Sequence, residues 1–318
     1  MTIRGPSFAH LERLSDANGI FEHAQGMLPR RGGGYCTDDV ARALVAVLRE
    51  SPPRDRRLRR LEAVYFAFLF AAQRADGRFH NRRASSSGQP WLDDVGSDDS
   101  NGRALWGLGS AARHASTPHL RRCALSSFER GAGFSSSSPR ANATAVLGAC
   151  EVLAAYPEHR QARALLARAA GRMGAVSAAQ DWPWPEPRLA YENARLAEAR
   201  LAAGAALGDR RLVGEGLQLL EWLVSIETRD GHFSFTCVHG WSIGEPRPAF
   251  DQQPIEASAM ADACARAFHL TGEDRWSKSC LAAAAWFVGR NDHRVWSLDQ
   301  ETTRPFRCSS RFGFHGIS

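Results

Sequence analysis

Acidic residues recur just before, or just inside, alanine-rich apolar segments of this sequence. They are Asp38, Asp39, Asp93, Asp94, Asp98, Asp99, Glu192, Asp251 and Glu256. Two neighbouring carboxyl groups can divide acid–base work, because one protonates a leaving oxygen while the other activates water or attacks carbon. Crowding also raises the pKa of one member toward neutrality. The pattern predicts acid–base chemistry, and capping of helix N-termini is the competing interpretation for each acid.

The loops beside these acids are rich in aromatic residues, namely Tyr35, Trp91, Trp182, Trp184 and Trp241. Flat aromatic faces stack on the C–H faces of sugar rings, while carboxylates and amides bind the hydroxyls. The combination predicts a carbohydrate ligand, although a loop tryptophan also commonly fills a core. His80 and His239 are candidates for proton transfer or for packing. A repeated Asp-Gly-x-Phe segment, at 76–79 and 230–233, predicts a turn followed by extended chain.

The acids are positioned by helices of two alternating kinds. Helices with small residues are predicted from 36 to 48, from 97, from about 141, around 191 and from 251. Amphipathic helices with arginine on one face are predicted at about 54–74, 117–131, 158–173, 209–227 and 274–289. This alternation indicates an inner ring of parallel helices wrapped by an outer ring. The starts of the inner helices, and with them the acids, would then meet on one face.

The amino-acid composition limits the classes of function that are expected for this protein. Hydrophobic residues make up 44% of the 318 residues, so a sizeable core is expected. The net charge of +6 comes from scattered arginines, which does not favour nucleic-acid binding. Seven cysteines without a CxxC pair, and no apolar leader or membrane span, predict a reduced, cytoplasmic protein. No phosphate loop, dinucleotide fingerprint, nucleophile elbow or ordered metal-ligand spacing occurs, so no cofactor or metal is expected.

Four motifs in this order resemble a bacterial family of six-hairpin glycosidase-like proteins. They are GYCTDD at 34–39, WLDDVGSDD at 91–99, YENAR at 191–195 and FDQQPIEA at 250–257. Members of that family are often labelled glycosyltransferase, because they accompany glycosyltransferase domains or are fused to them. The resemblance spans about residues 7–297 and implies an all-α (α/α)6 toroid in a single domain, 1–318. It also implies a role in carbohydrate metabolism and a glycosyltransferase as a potential partner.

The C-terminal end departs from that family. Its members continue past the Leu298–Asp299 region into a Gly-rich turn and a final inner helix, which residues 304–318 do not match. The sixth hairpin is therefore expected to be incomplete, with 303–318 as an atypical tail.

The main hypothesis is a glycoside hydrolase-like enzyme that acts on a bacterial oligo- or polysaccharide. Asp99 and Asp251 are the predicted acid/base pair. Residues predicted to contact the sugar are Tyr35, Asp38, Asp39, His80, Trp91, Asp94, Asp98, Glu192, Trp241, Gln253 and Glu256. Two alternatives stay open: a non-catalytic glycan-binding or scaffold module for a glycosyltransferase, and a sugar epimerase or isomerase whose histidines move the proton. A terpene-cyclase-like barrel is disfavoured by the polar loops.

Overall fold

Helices dominate the part of the chain that the computed structural model describes, which is residues 7–86, 91–179, 181–248 and 250–294. They are α1 (Ala9–Arg13), α2 (Thr37–Arg49), α3 (Arg56–Ala72), α4 (Asp98–His114), α5 (Pro118–Gly131), α6 (Pro139–Ala155), α7 (Arg160–Ala170), α8 (Ala194–Leu207), α9 (Arg210–Glu227), α10 (Pro254–Thr271) and α11 (Asp274–Trp286). Within these residues no helix combines the length and apolarity that crossing a membrane requires.

Short antiparallel strand pairs organise some of the loops. They are β1 (Ala24–Gln25) with β2 (Leu28–Pro29), β3 (Tyr35–Cys36) with β4 (Arg82–Arg83), and β5 (Thr228–Arg229) with β6 (His232–Phe233). Each strand has two residues, so these pairs hold loops in place and contribute little to the core.

The predicted alternation of two helix types is confirmed for five pairs. Helices α4 and α8 are buried on all sides over residues 100–112 and 194–204. Their alanines and glycines are small, so neighbouring helices can approach closely. Alanine also has the highest intrinsic helix propensity. The partner helices α3, α5, α7, α9 and α11 bury one face only and present polar residues on the other.

The described residues fall into two compact units. In the unit formed by Phe8–Arg172, helices α2, α4 and α6 lie side by side, and each packs on its own outer helix, α3, α5 or α7. In the unit that contains the described residues from Met173 onward, α8 and α10 are neighbours and pack on α9 and α11. The prediction of one domain over 1–318 stays a prediction. The predicted atypical tail and incomplete sixth hairpin lie outside the described residues.

The fourth inner helix begins later than predicted. The sequence pattern predicts Tyr191 and Glu192 on it, whereas α8 starts at Ala194. Glu192 has a φ of 51°, which is left-handed and incompatible with helix. Its backbone N–H, which would have no intrahelical partner at a helix start, donates to the Glu256 carboxylate. This long-range contact holds Glu192 in the turn before α8, and no local pattern encodes it.

Most of the predicted acids are not N-caps. The cap of α4 is Ser97, whose Oγ accepts the Ser100 N–H at 3.2 Å, so Asp98 and Asp99 lie in the first turn after it. The N-cap positions of α2 and α10 are Cys36 and Gln253, and neither makes a side-chain cap bond. Acids in a first turn still interact favourably with the helix dipole. Capping alone does not account for them.

Helices α4 and α6 approach each other closely in the first unit, and this contact depends on glycine. A Cβ on Gly148 would lie 2.7 Å from the carbonyl carbon of Leu105. We expect Gly148→Ala to lower the free energy of unfolding by about 1–3 kcal/mol, because the backbones must separate. Gly214, exposed on α9, would have nothing within 4 Å of an added Cβ, so Gly214→Ala should stabilise by about 0.5–1 kcal/mol. Urea unfolding of both variants tests this, and equal effects would contradict it.

Candidate functional site

Two adjacent carboxylates and two arginines meet at the start of α2, and we call Asp38, Asp39, Arg42 and Arg103 the α2 cluster. The Arg42 guanidinium contacts Asp38 and lies 3.1 Å from Asp39 Oδ1. Arg103 reaches from α4 to Asp38 and is itself buried. The cluster therefore joins the starts of two inner helices and balances two negative charges with two positive ones.

Asp39 is the member of the cluster best suited to acid–base work. Burial raises its pKa to about 6, Arg42 opposes that rise, and the negative charges of Asp38 and Glu22 reinforce it. Its side chain nevertheless remains 22% exposed, so a solute can reach it. A carboxyl group that titrates near neutrality can both give and accept a proton at physiological pH.

The loop that follows α3 is folded on itself by Asp93 and fixed against the start of α2 by Thr37. The Asp93 carboxylate accepts the backbone N–H groups of Asn81 at 2.6 Å and Arg82 at 2.8 Å. Thr37, the first residue of α2, donates its hydroxyl to the His80 carbonyl at 2.6 Å. The backbone of His80 is thereby held against the first turn of the helix that carries Asp39.

The imidazole of His80 has a defined tautomer. Its Nδ1 lies 2.8 Å from the Asp93 carbonyl oxygen, which can only accept a hydrogen bond. Nδ1 therefore carries the proton, and Nε2 is the basic nitrogen of the neutral ring. The ring stacks on Trp91 with centroids 5.2 Å apart and planes 8° from parallel. His80 is partly exposed, which suits a proton-transfer group.

The two predicted aromatic contacts of this unit are more enclosed than expected. Tyr35 lies in β3 and not in a loop, and its ring is buried and stacks on Phe21 at 4.9 Å. Its hydroxyl donates to Asp16 at 2.7 Å, and burial together with Asp16 raises the pKa of Tyr35 to about 12. Trp91 contacts Phe68 edge-on at 5.2 Å in addition to His80.

The remaining predicted acids of this unit have separate environments. Asp94 is exposed and paired with Arg74 at 2.6 Å, and the hydrogen bond from Arg74 lowers its pKa. Asp98 is exposed and accepts the Ser136 hydroxyl. Asp99 is partly exposed in the first turn of α4. Its predicted role as catalytic acid or base stays a prediction.

In the second unit, Glu256 organises the turn that precedes α8. Its buried carboxylate accepts the N–H of Glu192, the N–H of Asn193 at 3.1 Å and the Asn193 side-chain amide at 3.3 Å. Burial and the nearby Glu227 raise the pKa of Glu256 to about 8, against the effect of those hydrogen bonds. A backbone contact thus brings Glu192 and Glu256 together, and their predicted contact with a sugar stays a prediction.

Glu192 belongs to a buried ionic network centred on Arg195. Arg195 pairs with Glu192 at 3.0 Å, with Asp262 at 3.0 Å and with Glu198. Burial opposes its positive charge, but these three carboxylates raise the pKa of Arg195 well above its usual value. The network links α8 to α10, and removing one partner would leave a buried charge uncompensated.

The other predicted residues of this unit surround the start of α10. Asp251 is exposed, with a φ of 63°, and Gln253 is partly exposed at the N-cap position. Trp241 donates its indole N–H to the Glu245 carbonyl at 3.0 Å, and the Arg247 guanidinium lies 5.6 Å from its ring centroid. Asp251 and Asp99 belong to different compact units, so their predicted pairing stays a prediction.

Sequence reasoning missed a histidine–carboxylate pair in the second unit. His232 Nε2 lies 3.1 Å from Asp292 Oδ1, although the residues are 60 positions apart. Gln252, which neighbours the predicted Asp251, also donates to Asp292. The repeated Asp-Gly-x-Phe segment was the one available signal, since His232 occupies its variable position.

Asp39 is expected to titrate near pH 6, compared with about 3.9 for an ordinary aspartate. Asp38→Asn should lower the midpoint, because the Asp38 charge raises the pKa of Asp39. Arg42→Gln should raise it, because the Arg42 cation has the opposite effect. Carboxyl ¹³C NMR of labelled protein measures both shifts. A wild-type midpoint near 4, or shifts of the same sign in both variants, would contradict the assignment.

No protein-family model and no curated protein matches this chain. Solved structures do match. A cellobiose 2-epimerase from Bacillus thermoamylovorans aligns with a TM-score of 0.70 at 10% identity, over 89% of this chain and 84% of that one. A sugar epimerase from a ruminal bacterium gives 0.68 at 11% identity, over 88% and 82%.

A cellulase of C. cellulolyticum in complex with cellobiose also aligns, with a TM-score of 0.58 at 7% identity, over 83% of this chain and 69% of that one. These structures are six-hairpin toroids, which confirms the predicted fold class. At such low identity the likeness concerns the fold alone. The chain is an all-α protein with the (α/α)6-toroid fold of the six-hairpin glycosidase-like proteins.

Proposed function

We propose that this protein is a carbohydrate-active enzyme that moves a proton at a sugar carbon, as an epimerase or isomerase does. The fold is shared with proteins described as a sugar epimerase, a cellobiose 2-epimerase and a D-mannose isomerase. The alignments cover 80–84% of the length of those chains. The coverage of the C. cellulolyticum cellulase is lower, at 69%. Fold likeness sets the class of substrate to test, and the side chains must supply the chemistry.

The observation that carries the proposal is the fixed tautomer of His80. A neutral imidazole with its Nδ1 proton bound to a carbonyl presents an unprotonated Nε2 that can accept a proton. The stacked Trp91 ring and the Asp93 carbonyl fix the orientation of the imidazole. Such preorganisation is what proton abstraction from carbon requires, since the base must be aligned with the C–H bond.

The proposed step begins with the open-chain form of a reducing sugar. His80 Nε2 takes the proton from the carbon beside the carbonyl, and the C–H electron pair becomes the C=C bond of an enediol. The carbonyl π electrons move to oxygen, which receives a proton from an acid such as Asp39. Return of a proton to the same carbon from the opposite face, with loss of the proton from the former carbonyl oxygen, gives the epimer. Return of a proton to the former carbonyl carbon, with loss of the proton from the other enediol oxygen, gives the isomer. No oxidant or reductant is consumed.

Exchange of a sugar proton with solvent tests this proposal. The wild-type protein in D₂O should incorporate deuterium beside the carbonyl of cellobiose, mannose or glucose, followed by ¹H NMR. His80→Asn keeps an N–H donor toward the Asp93 carbonyl but has no base, so exchange should fall by about 10²–10⁴-fold. His119→Asn, on the exposed face of α5, is the matched control and should leave the rate unchanged. Exchange that survives in His80→Asn would contradict the role of His80.

A second candidate, glycoside hydrolysis, is favoured by the raised pKa of Asp39. A carboxyl group still protonated near pH 6 can protonate the leaving glycosidic oxygen, while a second carboxylate activates water or attacks carbon. Asp99 and Asp251 are the residues proposed for that pair, and Asp39 adds a third carboxyl group to be tested beside them.

A sugar-release assay over bacterial oligosaccharides separates this candidate from the first. Hydrolysis predicts reducing-end release that falls by at least about 10²-fold in Asp39→Asn or in both Asp99→Asn and Asp251→Asn. His80→Asn should then have a smaller effect. Asp274→Asn, exposed at the start of α11, is the matched control. Saturable sugar binding with neither release nor exchange would instead support a glycan-binding module that serves a glycosyltransferase.

A further inference from the structure

Three side chains from separate parts of the second unit form a connected polar group, which we call the His232 group. His232 lies in β6, Gln252 lies two residues before α10, and Asp292 follows α11. His232 Nε2 and the Gln252 side-chain amide both contact the Asp292 carboxylate. None of these residues was assigned a role by the sequence motifs, and none takes part in the steps described above.

The orientation of Gln252 is determined by its own partners. Its Oε1 accepts the indole N–H of Trp286 at 3.0 Å and the backbone N–H of Phe235 at 3.1 Å. Both partners are donors, so the atom that they contact must be the oxygen. The amide nitrogen therefore faces Asp292 and donates to it. The N–H groups of Trp286 and Phe235 thus fix the orientation in which the Gln252 amide nitrogen donates to the Asp292 carboxylate.

Asp292 is held as an anion by the same set of contacts. Burial opposes ionisation, but hydrogen bonds from Gln252, Ser234 and His232 lower the pKa of Asp292 overall. An ionised carboxylate can only accept hydrogen bonds, so His232 Nε2 must carry a proton. Nδ1 is then the basic nitrogen of the neutral His232 ring. An oriented carboxylate commonly selects the tautomer of a proton-transferring histidine in this way.

Stability alone is a weak reason for this arrangement. The side chains of His232 and Asp292 are only 20% and 12% exposed, and a mostly buried ion pair gains little net stability because desolvation offsets the Coulombic attraction. Left-handed backbone also occurs next to Gln252, at Asp251 with φ 63°. Non-glycine residues in that conformation cost energy and concentrate near functional sites.

We infer that His232 is a proton-transfer group for a reducing sugar, with Asp292 and Gln252 as the residues that position it. The inference rests on the proposed epimerase or isomerase function and names His232 as the base of that reaction, as an alternative to His80. His232 Nδ1 takes the proton from the carbon beside the sugar carbonyl, the C–H electron pair forms the C=C bond of an enediolate, and the carbonyl π electrons move to its oxygen. The proton of the neighbouring hydroxyl then passes to that oxygen, and the same nitrogen returns the carbon-bound proton to the former carbonyl carbon, which gives the isomer. The Nε2 proton stays on the ring, shared with Asp292 throughout.

The first test reads the tautomer and needs no substrate. Long-range ¹H–¹⁵N correlation spectra of the full chain should show His232 in the Nε2–H form at neutral pH. Asp292→Asn should increase the Nδ1–H form, because an amide can also donate to the ring. A wild-type Nδ1–H tautomer would overturn the inference whatever the substrate is.

The second test measures deuterium incorporation into cellobiose and mannose, together with epimer or isomer formation. His232→Gln places an amide donor toward Asp292 but has no base, so product formation should fall by about 10²–10⁴-fold. Asp292→Asn should lower kcat with little change in KM, because it alters the tautomer and not the binding contacts. His119→Asn is again the matched control. Circular dichroism checks that each variant is folded, and His232→Asn serves as the second variant if His232→Gln is not.

The outcomes separate the two proposals. If the wild type is active and His232→Gln retains its activity within about twofold, the role of His232 is overturned and the proposed function is left intact. A wild type that exchanges no proton of any tested sugar would overturn the proposed function, and the inference with it. Loss of product formation in folded His232→Gln, with the Nε2–H tautomer in the wild type, would support both.

Discussion

Backbone N–H groups in the long loops must be satisfied, and buried or partly buried carboxylates satisfy them repeatedly in this protein. Asp93 accepts the N–H groups of Asn81 and Arg82, and Glu256 accepts those of Glu192 and Asn193. Two further carboxylates do the same elsewhere: Glu62 binds the N–H of Ser116, and Glu227 binds the N–H of Thr236. An unpaired N–H in such places would cost about 1–3 kcal/mol. These contacts give the loops the defined shapes on which a site depends.

This constraint divides the acids into two groups with different physical roles. Glu256 and Asp93 are occupied by backbone donors, so their main effect is to hold neighbouring residues in position. Asp39 instead contacts an arginine and remains partly exposed, and burial raises its pKa to about 6, whereas the pKa of the fully buried Glu256 is raised to about 8. What surrounds a carboxylate therefore decides whether it holds loop backbone, as Asp93 and Glu256 do, or stays accessible to a solute, as Asp39 does.

The histidines show the same dependence on their partners. His80 has its Nδ1 on a carbonyl, and His232 has its Nε2 on a carboxylate, so opposite nitrogens are basic in the two rings. Each arrangement fixes one tautomer without making the ring inaccessible. The polar contacts around them use Asp93, Gln252 and Asp292, which come from loops and not from the inner helices. The helices thus form the frame, and the loops between them hold the two oriented histidines.

The sequence by itself determined the helices of this protein. Their periodicity, small-residue content and capping residues are local, so five helix pairs were predictable, and the motifs pointed to the six-hairpin toroid. Only the tertiary structure decided which polar residues meet. Glu192 lies in the turn before its predicted helix, where Glu256, 64 residues away, binds its N–H. His232 contacts Asp292, which lies 60 residues further along the chain, and Tyr35 packs in the core against Phe21. Desolvation and hydrogen-bond partners are set by such distant contacts, and no local pattern carries them.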